Sequence, residues 1–153
     1  MKPSPSEEFM TSDTLGVMEV KPTTAITLDV VLPTHDNLER TMRCLRHLYG
    51  NTKTPFHLIA VDDSTDGLTP LYIDQLKTRH DNVTFVHSDT PYKDGNTVFN
   101  IGFKNAKTEY VATVMNSVSV EPDWEMVPLQ LLRENKDVGM IGMKCLFPNG
   151  LIE

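Results

Sequence analysis

Short apolar segments rich in β-branched residues alternate with helical segments along this chain, and this alternation constrains the fold more than any other feature of the sequence. Segments of this kind predict strands at residues 26–32, 57–61, 83–87, 110–114 and 138–146. Between them, apolar residues repeat at helical spacing. Strands that alternate with helices form βαβ units with right-handed crossovers. The sequence therefore predicts an α/β domain with three α/β/α layers and a mostly parallel sheet.

Capping residues and helix breakers set the expected limits of the helices. Asp36-Asn37 offers an N-cap for a first helix that stops at residues 50–51, and Pro33 is expected to stop the preceding strand. Further helices are predicted from residue 69, at 98–106 and at 122–133. In the second helix, Leu71 and Leu76 are expected to face the core. Residues 1–24 are rich in Pro, Ser, Thr and Glu and are predicted to be a flexible leader, followed by one domain at 25–153.

Composition excludes several classes of function. The 153 residues suit a single domain, and a formal net charge of −7 argues against a nucleic-acid surface. The sequence has no apolar run of the roughly 18 residues that span a bilayer and no signal-peptide core, so a cytoplasmic protein is expected. Cys44 and Cys145 lie far apart without metal-ligand spacing, which favours two core thiols over a zinc site or a disulfide.

Polar residues follow most of the predicted strands. In a parallel sheet, ligands bind beyond the carboxyl ends of the strands. The segments at those ends are residues 33–36, 62–64, 88–90 and 115–117. The sequence therefore predicts a ligand site at this edge.

The strand ends and helix starts resemble, in order, the motifs of inverting family-2 glycosyltransferases. Residues 30–37 (VVLPTHDN) resemble V-I-I-P-T-Y-N, and residues 61–67 (VDDSTDG) resemble V-V-D-D-G-S-T-D-G with fewer residues. Weaker matches follow at residues 94–102, 107–111, 121–124, 138–142 and 147–150. The resemblance implies a GT-A fold, a Rossmann-like arrangement that binds nucleotide-diphospho-sugars, and it runs from about residue 28 to the end of the chain.

The resemblance also implies which residues bind the nucleotide of a UDP-sugar. By position, Asp62 and Asp63 would lie at the base, and Asp63 would accept the uracil N3–H. Pro33, Thr34 and His35 would form the base and ribose floor, with His35 in place of a stacking Tyr. The residues alone leave another interpretation open, in which Asp62, Ser64 and Asp66 form only an Asx-turn and a helix cap.

The family holds Mn²⁺ or Mg²⁺ with a D-x-D motif after the fourth strand, and this chain has Met115-Asn116-Ser117 there. Asn116 and Ser117 are weak neutral ligands at best, whereas these ions prefer carboxylate oxygens. Either the metal is lost, or diphosphate and water hold it, or Asp89 or Asp94 replaces the motif. Lys93 would supply positive charge to the diphosphate instead, or is simply a solvated loop residue.

The catalytic base of the family lies beyond the segment matched by residues 138–142, in an acceptor-binding half that is expected to be absent here. The leading hypothesis is a minimal or truncated glycosyltransferase of the hexosyltransferase type, which transfers or hydrolyses off the sugar. The alternatives are a non-catalytic, degenerate GT-A module that binds a nucleotide or a partner chain, and another doubly wound fold of the receiver or nucleotidyltransferase kind. Self-association that completes the site is also expected to be possible.

Overall fold

A computed structural model describes residues 27–88, 91, 94–147 and 149–151. The predicted leader, residues 1–24, lies outside them. The described residues contain a four-stranded sheet in the order β3-β2-β1-β4, and all three pairs of neighbouring strands are parallel. In chain order the elements are β1 (Leu28–Thr34), α1 (Leu38–Asn51), β2 (Phe56–Asp62), α2 (Leu68–Arg79), β3 (Val83–His87), α3 (Gly95–Asn105), β4 (Tyr110–Thr113) and α4 (Met126–Glu134).

Side chains of β1 alternate between two cores because successive residues of a strand point to opposite faces. Val30 and Leu32 pack in one core with Leu45 and Leu48 of α1, and this core also includes residues of α2 and α4. Val31 packs in the other core with Ile59, Val61 and Val98, the last from α3. Helices therefore cover both faces, and the predicted three-layer α/β/α arrangement is confirmed.

Gly102 allows α3 to approach the sheet closely. A Cβ atom built on Gly102 would lie 2.2 Å from Cγ1 of Val31, far inside van der Waals contact. This contact fixes α3 against the centre of β1, so the start of α3 lies near the carboxyl ends of the strands.

The segment after β4 runs to the side of the sheet where α1 ends and β2 begins, opposite the carboxyl ends of the strands. Asn51 Nδ2 donates to the Val120 carbonyl at 2.7 Å, and the indole Nε1 of Trp124 donates to Thr52 Oγ1 at 2.9 Å. The buried Glu125 accepts the backbone N–H groups of Lys53 and Thr54 through Oε1, at 2.7 and 2.8 Å. Residues 120–125 are thus tied to the α1–β2 loop, away from the strand ends.

The predicted strand at residues 138–146 is wrong. In the described residues this segment has no strand, and only Leu146 forms an isolated bridge. Met140 is 87% exposed, and the segment ends in a local turn in which Gly150 N donates to the Phe147 carbonyl at 2.8 Å. Apolar, β-branched sequence favours a strand only where a neighbouring strand and a core face receive it, and the described four-stranded sheet does not include this segment.

Three smaller expectations also need correction. Pro33 does not stop β1, because the strand continues through Thr34. Leu71 does not face the core and is 55% exposed, since α2 buries the stripe formed by Thr69, Ile73 and Leu76. Cys145 is exposed, although Cys44 is buried as expected.

Within the described part of the chain, no helix is both long and apolar enough to cross a membrane.

Candidate functional site

The carboxyl ends of β1 and β2 lie side by side, and their loops form the densest polar region at this edge. Thr34 pairs in register with Asp62, so the last residues of the two strands face each other. Asp63 N donates to the Thr34 carbonyl at 3.2 Å, which extends the pairing by one residue. We call His35, Asp36, Asp62, Asp63 and Ser64 the strand-end cluster.

Asp62 is a fully buried acceptor for donors from three directions. Its Oδ1 accepts the hydroxyls of Thr34 at 2.5 Å and Ser64 at 2.6 Å. Its Oδ2 accepts Ser64 N at 3.3 Å and lies 2.7 Å from Nδ1 of His87. Because a carboxylate only accepts hydrogen bonds, Nδ1 of His87 is the donor in this contact and carries a proton. Asp62 therefore organises the protein side of the cluster, with its oxygens occupied by internal donors.

Asp63 points the other way, toward His35. Nδ1 of His35 lies 2.9 Å from Asp63 Oδ1, and Nε2 lies 3.8 Å from Asp36 Oδ2. The Asp63 side chain is 11% exposed, whereas that of His35 is 59% exposed. The hydrogen bond to Asp63 is the main cause that raises the pKa of His35 above 6.5, and the nearby Asp36 adds to it. The pair places a nearly buried carboxylate beneath an exposed imidazole.

Asp36 links the two loops to each other. Its backbone N–H donates to Ser64 Oγ at 2.7 Å, and its Oδ1 accepts Thr65 N at 2.6 Å and Asp66 N at 3.0 Å. The bond from Thr65 N is the largest cause that lowers the pKa of Asp36 below 3.8. Asp36 and Asn37 adopt φ values of 48° and 58°, which are uncommon for non-glycine residues. The cross-link therefore holds a strained backbone in one conformation.

The helix-cap interpretation holds for part of the pattern. Asp66 Oδ1 accepts Leu68 N at 3.0 Å and Thr69 N at 2.8 Å at the start of α2. Asn37 Oδ1 likewise accepts Arg40 N at 3.1 Å in the first turn of α1, as predicted. Asp63 differs from Asp66 in that its Oδ1 contacts the imidazole of His35.

One residue of this region, His87, and the loop contacts of Asp36 were not predicted from sequence. His87 comes into contact with Asp62 because β3 pairs with β2 in a register that places these residues opposite each other. The loop cross-link of Asp36 was missed because it joins residues 29 and 30 positions apart. A polar residue at the end of β3 is the only sequence signal for His87, and none points to the Asp36 contacts.

The end of β4 carries a different set of groups. Asn116 Nδ2 donates to Thr41 Oγ1 of α1 at 3.1 Å, and the Met115 carbonyl accepts Cys44 Sγ at 3.5 Å. Met115 is 46% exposed and Ser117 is also exposed. The chain has no carboxylate from residue 114 to 120, and no group of three or more His, Cys, Asp or Glu side chains that could hold a metal is found among the described residues. Lys93 and Asp89 lie outside the described residues.

The strand-end cluster has the chemistry of a site for a planar polar ring. The carboxylate of Asp63 accepts hydrogen bonds and so suits an N–H donor, and the exposed imidazole of His35 offers a flat surface beside it. Pro33 and Thr34 are buried, and the Thr34 hydroxyl donates to Asp62 Oδ1.

Solved structures share this fold at low sequence identity. Staphylococcus aureus TarS matches with a TM-score of 0.63 and 18% identity over 80% of this chain and 24% of its own. Its residues 1–349 in complex with UDP match with a TM-score of 0.64 over 82% and 43%. The mannosyltransferase PcManGT of Pyrobaculum calidifontis, in complex with GDP-Man and Mn²⁺, matches with a TM-score of 0.63 and 19% identity over 86% and 39%.

These matches show the GT-A glycosyltransferase fold, and this chain spans less than half the length of the chain in each of the three structures. No curated protein matches the chain in sequence. The model of glycosyl transferase family 2 matches residues 29–142, which include β2, β3, β4, all of β1 except Leu28, and the whole strand-end cluster. The chain therefore belongs to glycosyl transferase family 2.

Proposed function

We propose that this chain binds the nucleotide of a UDP-sugar at the strand-end cluster, as the donor-binding part of a hexosyltransferase. The observation that carries the proposal is the position of Asp63, a nearly buried carboxylate at the end of β2 that is oriented by His35 at 2.9 Å. A carboxylate held at this depth accepts an N–H donor strongly, because little water competes for it.

In the proposed complex, Asp63 accepts N3–H of uracil, and the exposed ring of His35 lies against the base or the ribose. Pro33, Thr34 and Asp62 serve as buried support for these two side chains. Asn116 follows β4, the strand that pairs with β1, and its side chain donates to Thr41 Oγ1. We assign it to the ribose in the proposed complex. The complex of TarS with UDP supports a uracil nucleotide, since that protein shares the fold.

The reaction we propose for the bound donor is displacement at the anomeric carbon. The attacking hydroxyl oxygen forms a bond to this carbon, the bond to the nucleoside diphosphate breaks, and the hydroxyl proton passes to a base. With water in place of an acceptor hydroxyl, the same displacement hydrolyses the donor. Among the described residues we assign no catalytic base.

Calorimetric titration of the whole chain with UDP tests the nucleotide assignment. Removing a hydrogen bond to a charged group costs about 1.5–3 kcal/mol, so Asp63→Ala is expected to raise the Kd for UDP by about 10- to 100-fold. Asp74→Ala is the matched control, because Asp74 is exposed on α2 and pairs only locally with Lys77. Circular dichroism spectra check that both variants remain folded.

Titration with GDP under the same conditions tests the choice of base. Tighter binding of GDP than of UDP would contradict the assignment of uracil while leaving the site in place. Wild-type affinity for UDP in folded Asp63→Ala would contradict the role of Asp63 itself.

A further inference from the structure

Members of this family are expected to hold a divalent cation between protein carboxylates and the diphosphate, and the residues at the end of β4 do not fit that role. Mg²⁺ and Mn²⁺ prefer carboxylate oxygens. The positions that would supply them are Met115 and Ser117, and the amide of Asn116 between them donates to Thr41 Oγ1. The donor set therefore offers one hydroxyl, one amide and a thioether.

Carboxylates do occur at the same edge, and they are engaged by protein donors. Asp62 is fully buried and accepts bonds on both of its oxygens. Asp36 accepts two loop N–H groups through Oδ1, Asp66 caps α2, and Asp94 caps α3 through a 2.9 Å bond from Thr97 N. These carboxylates accept hydrogen bonds that cap helices and cross-link loops, whereas a metal site needs carboxylate oxygens that are directed at the cation.

The remaining acid of the strand-end cluster, Asp63, faces an imidazole. A cation bound to Asp63 Oδ1 would displace His35 from its 2.9 Å contact, or would lie beside a ring whose pKa is raised. The first arrangement loses the hydrogen bond between His35 and Asp63, and in the second a protonated imidazole would repel the cation.

We infer that this chain binds its nucleotide without a divalent cation held by the protein. The inference rests on the proposed function for the identity of the ligand, but its argument comes from the donor set at the end of β4 and the engaged carboxylates of the neighbouring loops. It concerns the part of the chain that the structure describes.

Calorimetric titration with UDP in the presence of Mn²⁺, and again with EDTA, tests the inference. The Kd of the wild-type chain is expected to agree within about twofold between the two conditions. The double variant Met115→Asp/Ser117→Asp places two carboxylates at the expected spacing on exposed positions, where substitution is tolerated. In this variant, UDP is expected to bind about tenfold more tightly with Mn²⁺ than with EDTA.

A second measurement separates failure of this inference from failure of the proposed function. Paramagnetic broadening of amide NMR signals by Mn²⁺ alone reports cation binding whether or not UDP binds. In the wild type, signals around Asp63 and Asn116 are expected to broaden no more than those around the exposed Asp74. Selective broadening near Asn116 in the wild type, or UDP binding that EDTA weakens by about tenfold, would overturn the inference. If UDP binds in neither condition, the proposed function fails, and the broadening experiment alone decides the question of the cation.

Discussion

The strand-end cluster and the 138–151 segment lie in the same chain and contrast sharply in how their side chains are held. In the cluster, Asp62, Asp63 and Ser64 are buried and joined by hydrogen bonds of 2.5–3.3 Å to both neighbouring loops. In the 138–151 segment, apolar side chains such as Met140 and Leu151 are 87% and 64% exposed. The cluster joins two strand ends by side-chain hydrogen bonds, whereas the hydrogen bonds that the described residues of the 138–151 segment make are local.

This difference bears on the proposed nucleotide site. A carboxylate positions a ligand well only if its own rotamer is locked by packing and hydrogen bonds. That condition is met at the ends of β1 and β2, where three side chains hold Asp62 and His35 contacts Asp63. We expect the contrast to extend to the free energy of unfolding, with the largest losses for substitutions in the strand-end cluster.

Replacing Asp62 by Ala is expected to destabilise the protein most. The substitution leaves the buried hydroxyl of Thr34 and the Nδ1–H of His87 without their acceptor. Each buried donor left unsatisfied costs about 1–3 kcal/mol, so we expect a loss of about 2–6 kcal/mol. Urea denaturation followed by circular dichroism measures the change, with Asp74→Ala as the control that shifts stability by less than about 0.5 kcal/mol. Equal stability of the two variants would show that the buried network is not a stabilising unit.

Replacing Asp36 by Ala is expected to destabilise the protein less than Asp62→Ala does, because two loop N–H groups at the exposed surface lose their acceptor. Asp36→Gly loses the same carboxylate but adopts the φ of 48° without steric cost. We therefore expect the glycine variant to be more stable than the alanine variant in the same denaturation experiment. The reverse order would show that the left-handed conformation carries no strain.

The sheet and its flanking helices were largely predictable from sequence, because their signals are local. β2 and β3 are continuous apolar or β-branched runs, and Asn37 is an N-cap residue at the start of a helix. Such patterns depend on residues a few positions apart, which the sequence displays directly. The order of the sequence motifs also predicted the family, and it predicted that the candidate site lies at the carboxyl ends of the strands.

The contacts within the site were not predictable, because they depend on strand register. His87 contacts Asp62 only because β3 pairs with β2 at that residue, and Asp36 reaches across to Thr65 only once the two loops are adjacent. The strand predicted at residues 138–146 was wrong for a related reason, since strand formation also depends on pairing with distant residues. A sequence can favour an extended conformation there, but it does not show whether a pairing partner is present.

The contact between His35 and Asp63 is expected to make a small, pH-dependent contribution. Because the pKa of His35 is raised above 6.5 in the folded protein, this stabilisation is fully present below pH 6.5 and is lost as the pH rises through the folded-state pKa. His35 is exposed, so the effect is expected to remain below about 1 kcal/mol. Denaturation at acidic and alkaline pH, with His35→Gln as the comparison, isolates it. A wild type that gains stability relative to His35→Gln as the pH rises would contradict the assignment.

Replacing Met140 by Ser is expected to have the smallest effect, within about 0.5 kcal/mol, because this side chain is 87% exposed and has little contact to lose. Val98→Ser is the comparison at a buried position, since Val98 of α3 is 7% exposed and packs in the core against the sheet. Urea denaturation of both variants measures the contrast at two apolar positions rather than two polar ones. A loss above about 1 kcal/mol for Met140→Ser would mean that another surface covers Met140 in solution. The segment that begins at residue 138 would then not be an exposed region that contrasts with the strand-end cluster.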